Sequence, residues 1–512
     1  MSLLYQVLAA AGLVLAAPFL LARRGRHYLT TVRGRLGLDL PGPPGPRPLW
    51  LHAVSVGEVG VAATLARALP PCLPLVVTTV TPTGQARARE AFGREPFAGR
   101  AAVAYLPFEL AGAVRRFFRR FEPAGLVLVE GDYWPLVLAE ARRRGLPVAV
   151  VNGRVGDRSF HRMRRLRRFL GPLFDPVRRF GVQTGADRDR LVELGVEPGR
   201  VEVCGNLKYD TPEPPERTEL AALIRRLAAG RPVLVAGSTM GARGSGRSRR
   251  SDRTPSPKSG PSAAGASARD RDMDRPSARD ACSSPEDAAP EELAVARAFQ
   301  ALGGGDRALL VVAPRHPERW DAAAAFLEAA GLTVVRRSEV AGGAVEVAGG
   351  SAAAGAAASE PAIPIGAAES GGLAGPADAL LLDTMGELAA VYRHAAAVFV
   401  GGTLVPTGGH NPLEAARFGV PVAAGPSMEN FRQIADELDA AGAWRRVADA
   451  SELGAVWSAW LDDPADARRV GKAGRRLVEA NRGAVDRAAS MLHGALGDAL
   501  QPSRPSPRGR PA

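Results

Sequence analysis

The sequence predicts two Rossmann-like α/β domains that follow an N-terminal membrane anchor helix. Three observations support this fold class. The chain has 512 residues, which is enough for two or three domains. Short apolar runs alternate with amphipathic segments in two successive series, a pattern typical of mostly parallel sheets. The N-terminus carries an apolar run of about 20 residues, the length that a membrane-spanning helix needs.

Composition and charge narrow the class of protein. Apolar residues make up 46% of the chain and charged residues 23%, so a large core can form and disorder is excluded for most of the chain. The formal net charge of +13 favours an anionic partner, which could be membrane lipid, nucleic acid or phosphate. The three cysteines are widely spaced without a CxxC pair, which excludes a disulfide framework and a cysteine zinc site and predicts a reducing compartment.

Residues 1–26 are predicted to form the membrane anchor. The run from Leu3 to Ala22 is almost wholly apolar, and Arg23, Arg24 and Arg26 follow it directly. A cleaved signal peptide would carry its charges before the apolar run, so an uncleaved helix fits better. Basic residues stay on the cytoplasmic side, and the sequence therefore predicts cytoplasmic domains bound to the membrane. The alternative is a buried helix of the first domain.

The two series of apolar runs give the predicted domains. The first domain spans residues 45–212 and the second spans residues 230–498, with the proline-rich DTPEPPER between them. Each series contains six predicted strands. In the first series these are LWLH, PLVVTTV, AAVAYL, GLVLVE, PVAVVN and FGVQT, and in the second they are RPVLVAGS, ALLVVAP, LTVVRR, ADALLLD, AAVFVGG and GVPVAAG.

Two insertions and a tail interrupt this pattern. Residues 241–288 are rich in Arg, Ser, Pro, Asp and Gly, and residues 340–378 are rich in Ala and Gly, so both are predicted to be flexible loops. Residues 499–512 are predicted to form a flexible tail. The RSRR in the first insertion is either a nucleic-acid patch or a solvated basic run, and the second interpretation is the commoner one for such segments.

Two acids follow strands of the first domain. In HAVSVGE a strand turns into a helix, which would place Glu58 in the first helical turn at the mouth of the sheet. Glu58 is then either a general base or an ordinary capping residue. Glu130 ends the strand GLVLVE and should point into the same crevice, whereas Asp132 in EGDYWP is more simply explained as a helix N-cap.

The second domain contains features that suit a phosphate. Arg315 follows the strand ALLVVAP, where a guanidinium could hold a phosphate through paired hydrogen bonds. The segment DTMGEL begins a predicted helix whose N–H groups could also bind phosphate. A glycine-rich loop, GGTLVPTGGHNPLE, would let a ligand approach the backbone, and Glu414 could accept from ribose hydroxyls. The absence of GxGxxG argues against a nicotinamide or flavin dehydrogenase.

These motifs together resemble those of one known family. HAVSVGE, VTTVTPTG, YLPFE, EGDYWP, VNGR, GNLKYD, APRHPER, DTMGEL and GGHNPLEAARFGVPV occur in the order seen in the 3-deoxy-D-manno-octulosonic acid (Kdo) transferases. The resemblance implies a glycosyltransferase of the two-domain B fold. It implies transfer of Kdo from CMP-Kdo to the lipid A precursor at the cytoplasmic face of the inner membrane, with inversion at the anomeric carbon. It also implies no cofactor and no metal ion in catalysis.

The resemblance assigns roles to residues of this chain. It implies that Glu58 is the general base and Glu130 a second essential acid on the acceptor side. It also implies that CMP-Kdo is bound by Arg315, Met385, Gly386, Glu387, Asn411 and Glu414.

Three departures from the family pattern affect the acceptor side. EGDYWP replaces the usual ETELWP, and Glu109 stands where Asp is more usual. The usual STHEGEE reads STMGARG here, and its Glu-Glu is expected to resume after the insertion, at Glu291 and Glu292.

Two basic segments are predicted to face the acceptor and the anionic inner-membrane lipid, and no nucleic-acid partner is expected. They are the aromatic and basic segments that contain Arg115, Arg116, Arg164, Arg165, Arg167 and Arg168. Two other functions stay open at this stage. One is a B-fold glycosyltransferase or epimerase that uses a UDP-sugar, and the other is a non-catalytic membrane protein that binds a nucleotide sugar.

Overall fold

Two parallel sheets organise the chain. The computed structural model describes residues 27–241, 290–341 and 377–500. These residues form two units, the first made of residues up to Glu213 together with those from Glu479 onward, and the second made of Pro214–Val478. Each unit has a seven-stranded sheet, and the recorded strand pairs are parallel. The predicted two Rossmann-like domains are thus confirmed.

The sheet of the first unit has the order β3-β2-β1-β4-β5-β6-β7. Its strands are β1 Leu49–His52, β2 Leu75–Thr79, β3 Ala101–Tyr105, β4 Gly125–Val129, β5 Val148–Gly153, β6 Val177–Val182 and β7 Val201–Val203. The chain moves outward from β1 to β3 and then returns to place β4 on the other side of β1. Ligands of such sheets bind beyond the carboxyl ends of the two strands at this reversal, here β1 and β4.

Helices cover both faces of this sheet. They are α1 His27–Arg35, α2 Val56–Ala68, α3 Pro82–Phe92, α4 Ala111–Phe121, α5 Pro135–Arg143, α6 Asp157–Arg165, α7 Gly171–Phe174, α8 Gly185–Glu193 and, from the C-terminus, α18 Ala484–Leu496. Alternation along β1 sends Leu49 and Leu51 into one core and Trp50 into the other. Trp50 packs on Phe117 of α4, with ring centroids 4.4 Å apart.

The second unit has the strand order β10-β11-β9-β8-β12-β13-β14. Its strands are β8 Val233–Thr239, β9 Leu309–Pro314, β10 Val334–Arg336, β11 Ala379–Leu381, β12 Ala397–Val400, β13 Val422–Ala424 and β14 Arg445–Arg446. Its helices are α9 Thr218–Ala228, α10 Glu291–Ala301, α11 Trp320–Ala329, α12 Arg337–Ala341, α13 Leu388–Val391, α14 Leu413–Ala416, α15 Arg432–Ala440, α16 Ala450–Asp462 and α17 Pro464–Ala480, whose last two residues count with the first unit.

The structure corrects the predicted domain boundaries. Helix α9 belongs to the second unit, which therefore begins near residue 214 rather than residue 230. Helix α18 belongs to the first unit, although the second domain was predicted to extend to residue 498. The apolar side chains of α18, among them Ala488 and Leu492, are buried in the same core as those of α2. Chain order alone could not reveal this return.

Several predicted segments fall outside the described residues. These are the membrane anchor at residues 1–26, nearly all of both insertions, and most of the tail. Within the described ranges, no helix combines the length and the apolar character that crossing a membrane requires.

The ends of the first insertion meet in the second unit. The Met240 N–H donates to the Glu291 carboxylate (2.8 Å), and the Glu291 N–H donates to the Met240 carbonyl (3.0 Å). We expect that replacing residues 243–288 with a Gly-Ser linker of about six residues leaves the thermal midpoint within about 3 °C, because a shorter loop closes at a lower entropic cost. Thermal unfolding and activity of the purified variant test this. Loss of extractable protein would show that the segment contributes to the fold.

Candidate active site

The two predicted acids of the first unit lie on either side of the strand reversal. Glu58 is in the first turn of α2, directly after β1, and Glu130 follows β4. Both carboxylates therefore belong to the edge of the sheet where ligands of this fold bind. Their mutual influence also indicates proximity, because the charge of Glu130 contributes to the raised pKa of Glu58.

Glu58 is held by the start of its own helix. Ser55 is the N-cap of α2, its hydroxyl donates to one Glu58 carboxylate oxygen (2.7 Å), and the Val54 N–H donates to the other (2.7 Å). This is a capping-box arrangement, so the capping role considered from the sequence is present. It also fixes the carboxylate at the mouth of the sheet, with only 7% of the residue exposed.

The environment of Glu58 suits a general base. Burial first, and then the charges of Glu130 and Asp132, raise the pKa of Glu58 to about 7, against the hydrogen bonds from Val54 and Ser55 that lower it. A carboxylate with a pKa near the working pH can accept a proton in one step and release it in the next. Capping and base roles are therefore compatible in the same side chain.

Glu130 is fixed by one residue of strand β5 and by one residue of the turn after β7. Its Oε1 accepts from the Asn152 amide (3.2 Å) and pairs with the Lys208 ammonium (2.7 Å). Glu130 and Asn152 both have positive φ, at 65° and 54°, a conformation that non-glycine residues adopt at a cost and that is common at functional sites. Sequence reasoning did not single out Asn152 or Lys208, although both lie in the motifs VNGR and GNLKYD.

The predicted cap role of Asp132 is wrong. Helix α5 begins at Pro135 with Trp134 as its N-cap residue, and Glu109 accepts from the Leu136 N–H (2.8 Å) at this helix end. Glu109, one of the departures from the family pattern, therefore caps α5. Burial raises the pKa of Asp132, and the charge of Glu130 raises it further. Asp132 is thus a third acid of this edge.

A buried histidine positions the loop that carries these acids. The Trp134 indole N–H donates to His52 Nε2 (2.9 Å), so the neutral ring carries its proton on Nδ1 and donates it to the Thr78 hydroxyl (2.9 Å). Burial lowers the pKa of His52 to about 3, which keeps the ring neutral. His52 therefore acts as a structural acceptor for Trp134.

In the second unit, four polar residues meet beyond the strand ends. Arg315 directly follows β9. Burial, with a smaller contribution from the charge of Arg315, lowers the pKa of His410 to about 4. Burial and the charge of Glu414 raise the pKa of Tyr392, while Arg315 opposes this rise. Arg315, His410, Glu414 and Tyr392 are therefore neighbours, which brings together two of the residues predicted to bind the donor.

His410 presents a hydrogen-bond acceptor in this group. Its Nδ1 lies 2.8 Å from the Gly401 carbonyl, which can only accept, so Nδ1 carries the proton and Nε2 keeps a lone pair. A neutral histidine beside Arg315 could accept from a ligand hydroxyl while the guanidinium binds an anion. His410 lies in the predicted glycine-rich loop, but its residue type alone does not distinguish a ligand contact from a buried support.

The glycines of this loop have a packing role. A Cβ at Gly401 would lie 2.5 Å from the Ser238 carbonyl oxygen, and one at Gly409 would lie 2.8 Å from the Ser427 carbonyl oxygen. The loop backbone thus packs closely on neighbouring backbone. Packing therefore explains the glycines at both positions, and the approach of a ligand to this loop stays a prediction.

The Glu291 carboxylate accepts hydrogen bonds from backbone N–H groups at the strand reversal of the second sheet, between β8 and β12. Its carboxylate accepts from Met240, after β8, and from Gly402, Thr403 and Leu404, after β12, at 2.6 to 2.9 Å. Burial raises the pKa of Glu291 to about 7, against these four hydrogen bonds. The protein's own carboxylate therefore binds these four backbone N–H groups beyond the ends of β8 and β12.

The neighbouring Glu292 is also buried. It pairs with Arg319 (2.6 Å) and accepts from the Thr239 hydroxyl (2.8 Å). Glu291 and Glu292 begin α10 beside the end of β8, so residues on the two sides of the insertion are neighbours in the fold.

The remaining predicted donor-binding residues occupy different environments. Met385 is 61% exposed and Gly386 is exposed, so both are accessible to a ligand. Glu387 is buried, with Arg337 Nε 3.2 Å from its carboxylate, so it supports the loop. Helix α13 begins only at Leu388 and is four residues long, which corrects the predicted helix start at DTMGEL. The side-chain Oδ1 of Asn411 accepts from the Leu413 N–H (3.2 Å).

The two basic segments differ in exposure. The aromatic side chains of α4 are buried in the core, so the predicted aromatic membrane face of this segment is wrong. Of its two predicted arginines, Arg115 is exposed, while Arg116 donates to the Leu36 carbonyl (2.8 Å). The second segment is exposed and basic, as predicted, and its Leu166 is 55% exposed. Its arginines Arg162, Arg164, Arg165, Arg167 and Arg168 are all exposed.

Comparison with known proteins finds a family model and relatives that share one description. Residues 30–211 match the family model described as 3-deoxy-D-manno-octulosonic-acid transferase (kdotransferase). The chain is 32% identical to the 3-deoxy-D-manno-octulosonic acid transferase of Bordetella pertussis over 91% of each chain. It is 27% identical to the transferase of the same name from Haemophilus influenzae, over 88% of this chain and 87% of that one.

A solved structure also matches in part. The C-terminal CMP-Kdo-binding domain of WaaA from Acinetobacter baumannii covers 51% of this chain and 97% of its own, at 22% identity and a TM-score of 0.33. A score this low does not establish a shared fold, so the family relationship depends on the sequence relatives.

Proposed function

The chain belongs to the Kdo transferase family, and from this membership we propose that it moves Kdo from CMP-Kdo to the lipid A precursor. It is a glycosyltransferase. The observation that carries the proposed chemistry is the placement of Glu58, a carboxylate with a pKa near 7, with Glu130 at the strand reversal of the first unit.

The proposed reaction is a displacement at the anomeric carbon of Kdo. The acceptor hydroxyl oxygen forms the new bond to this carbon while the bond to the CMP phosphate oxygen breaks, which inverts the configuration. Glu58 takes the hydroxyl proton, a contribution that typically amounts to 10²- to 10⁴-fold in rate. Glu130 is proposed to bind the acceptor, because its carboxylate is held rigidly by Asn152 and Lys208.

The second unit is proposed to bind the donor. CMP leaves with growing negative charge on its phosphate, and a fixed guanidinium stabilises such charge. Arg315 is the candidate, since the N–H groups of the glycine-rich loop already bind Glu291. His410 Nε2 and Glu414 are proposed to accept from donor hydroxyls, and the exposed Met385 and Gly386 to contact the nucleotide.

Incubation of the full chain with CMP-Kdo and tetra-acylated lipid A precursor tests the function. We expect mass spectrometry of the lipid to show the addition of Kdo. Thermal shift with CMP, UMP and UDP tests the donor independently. Stabilisation by UDP without stabilisation by CMP would overturn the donor assignment and favour a UDP-sugar enzyme.

We also propose that the protein acts at the cytoplasmic face of the inner membrane. Two features support this: the apolar run followed by arginines in residues 1–26, and the exposed basic segment at residues 162–168 with Leu166 among its arginines. Exposed arginines are attracted to anionic headgroups at ~1 kcal/mol each.

Charge reversal of the basic segment should abolish vesicle binding. In a form that lacks residues 1–26, we expect Arg→Glu changes at Arg164, Arg165, Arg167 and Arg168 to reduce binding to anionic phospholipid vesicles by more than 100-fold. Binding of the unsubstituted truncated form should also weaken as salt rises, because charges are screened over ~10 Å at 0.1 M salt. Vesicle sedimentation measures both effects.

A matched control places the same charge change elsewhere. The control set consists of Arg→Glu changes at four exposed arginines of the second unit, Arg225, Arg226, Arg468 and Arg476. This set should weaken vesicle binding much less than the first set does. Binding that resists both salt and the first set would disprove the basic-segment model. CMP binding serves as a check on folding in all variants.

A further inference from the structure

Lysine is rare in this chain, and one of its lysines lies in the candidate active site. Only three lysines, Lys208, Lys258 and Lys472, occur among 66 Lys and Arg residues. Lys258 lies outside the described residues, and Lys472 is exposed on α17. The side chain of Lys208 is 15% exposed, and its ammonium lies 2.7 Å from Glu130 Oε1.

Lys208 contacts only one oxygen of the Glu130 carboxylate, Oε1, which suits a compact cation. Oε1 of Glu130 also accepts from the Asn152 amide (3.2 Å), so two donors share one oxygen. The Asn152 carbonyl oxygen of the same amide accepts from the Leu207 N–H (2.9 Å), next to Lys208. An ammonium is compact, whereas a guanidinium prefers to engage both oxygens of a carboxylate.

The segment that carries Lys208 is fixed from its other side by the C-terminal helix. Residues 207–210 form a 3₁₀ turn, and the Asp210 carboxylate accepts from the N–H groups of Gly483 (2.8 Å) and Val485 (2.7 Å) at the start of α18. Arg487 of α18 donates to the Cys204 carbonyl (2.8 Å). Lys208 is thus held between Glu130 and a buried helix.

The groups that surround the carboxylates of Glu58 and Glu130 are mostly acidic or neutral. Asp132 and Tyr133 come from the loop after β4, His52 from β1, and Arg154 from the residues after β5. Burial lowers the pKa of His52 and raises the pKa of Tyr133. Both side chains therefore stay neutral near pH 7. Burial first, and then the charge of Glu130, raises the pKa values of Glu58 and Asp132.

We propose that Lys208 is a positioning residue for the transfer reaction, which fixes the Glu130 carboxylate beside Glu58 and balances the charge of the three acids. This inference rests on the proposed function. Lys208 itself does not need to touch the substrate. The side chains of Lys208 and Glu130 are only 15% and 25% exposed, so losing Lys208 also lowers stability, and the test therefore reads the pH profile of catalysis, which a purely structural role would not move.

The test is the pH profile of Lys208→Met beside those of Lys208→Arg and the control Lys472→Met. In Lys208→Met we expect kcat/KM at pH 7 to fall about 30-fold and the midpoint of the acid limb to rise by about half a unit or more. Burial and then the charge of Glu130 raise the pKa of Glu58, and without Lys208 the charge of Glu130 is less balanced. Lys208→Arg keeps the charge, so its midpoint should stay within about 0.2 units of wild type. Lys472→Met should match wild type in both.

The outcomes separate this inference from the proposed function. A Lys208→Met enzyme that is as active as wild type, or one that is less active with an unshifted pH profile, overturns the positioning role while the function stands. Absence of Kdo transfer by the wild-type chain overturns the function and this inference with it. Should Lys208→Met fail to fold, Lys208→Gln, which keeps a neutral donor, is expected to show the same upward shift, and an unshifted profile in it would overturn the role.

Discussion

Glu58→Gln should lower Kdo transfer by on the order of 10³-fold while CMP binding changes less than threefold. The amide cannot accept the proton of the acceptor hydroxyl, and loss of a general base typically costs 10²- to 10⁴-fold. Nucleotide binding is assigned to the second unit, so it should persist. Transfer assays and CMP titration of the purified variant measure the two quantities separately.

The pH dependence of the wild-type enzyme gives the same prediction a second test. Since burial raises the pKa of Glu58 to about 7, the base is charged only above this pH, and kcat/KM should fall as the pH falls through 7. Glu90→Gln, a change in a more exposed carboxylate of α3, is the control and should keep wild-type activity. Activity of Glu58→Gln within tenfold of wild type would leave Glu58 with its capping role alone.

The raised pKa also affects stability. A carboxyl group whose pKa is about 7 in the folded chain and about 4.5 when exposed favours the folded state below pH 4.5, and this contribution is lost as the pH rises to 7. The difference is up to about 3 kcal/mol. Glu58→Gln should therefore gain stability relative to wild type between these pH values, apart from changes in its bonds to Val54 and Ser55.

Glu291→Ala should lower the thermal midpoint of the second unit by about 10 °C or prevent its folding. The change leaves two buried N–H groups, those of Gly402 and Thr403, and two partly buried ones without their acceptor, and a buried group left so costs about 1–3 kcal/mol. A loss of about 4 kcal/mol corresponds to this shift in a unit of this size. Thermal unfolding followed by tryptophan fluorescence measures it.

The matched control for Glu291→Ala is Glu318→Ala. Glu318 is an exposed acid of the same unit, and its replacement should move the midpoint by less than about 2 °C. A shift that small in Glu291→Ala would mean that water replaces the carboxylate at little cost. The second unit would then not depend on its internal anion.

The central strands were predictable because burial on both faces makes them continuous apolar runs. All twelve predicted strands are present, whereas the sequence did not reveal β7 and β14. These two are short edge strands that carry polar residues, such as Glu202 and Arg445, and they pair on one side only. Strands of this kind lack the apolar pattern from which the others were predicted.

The candidate site was predictable where a residue directly follows a strand. Glu130 and Arg315 do so, and Glu58 lies in the first turn of the helix that follows β1; parallel strands bring such residues to one edge of a sheet. The structural roles of Glu387 and Glu291 were not predictable, because their partners are 50 and more than 100 residues away in sequence. A buried acid that supports a loop has the same local pattern as one that binds a ligand.

The return of α18 to the first unit affects the order in which the enzyme can assemble during synthesis. The residues that complete the core around α2 leave the ribosome after the whole second unit has been made. Until then the apolar surface under α18 is exposed, and Asp210 lacks the helix end that it caps. The second unit can fold first, although it is encoded later than most of the first. A chain released before residue 484 would lack the helix that holds Lys208, so no incomplete chain should be active.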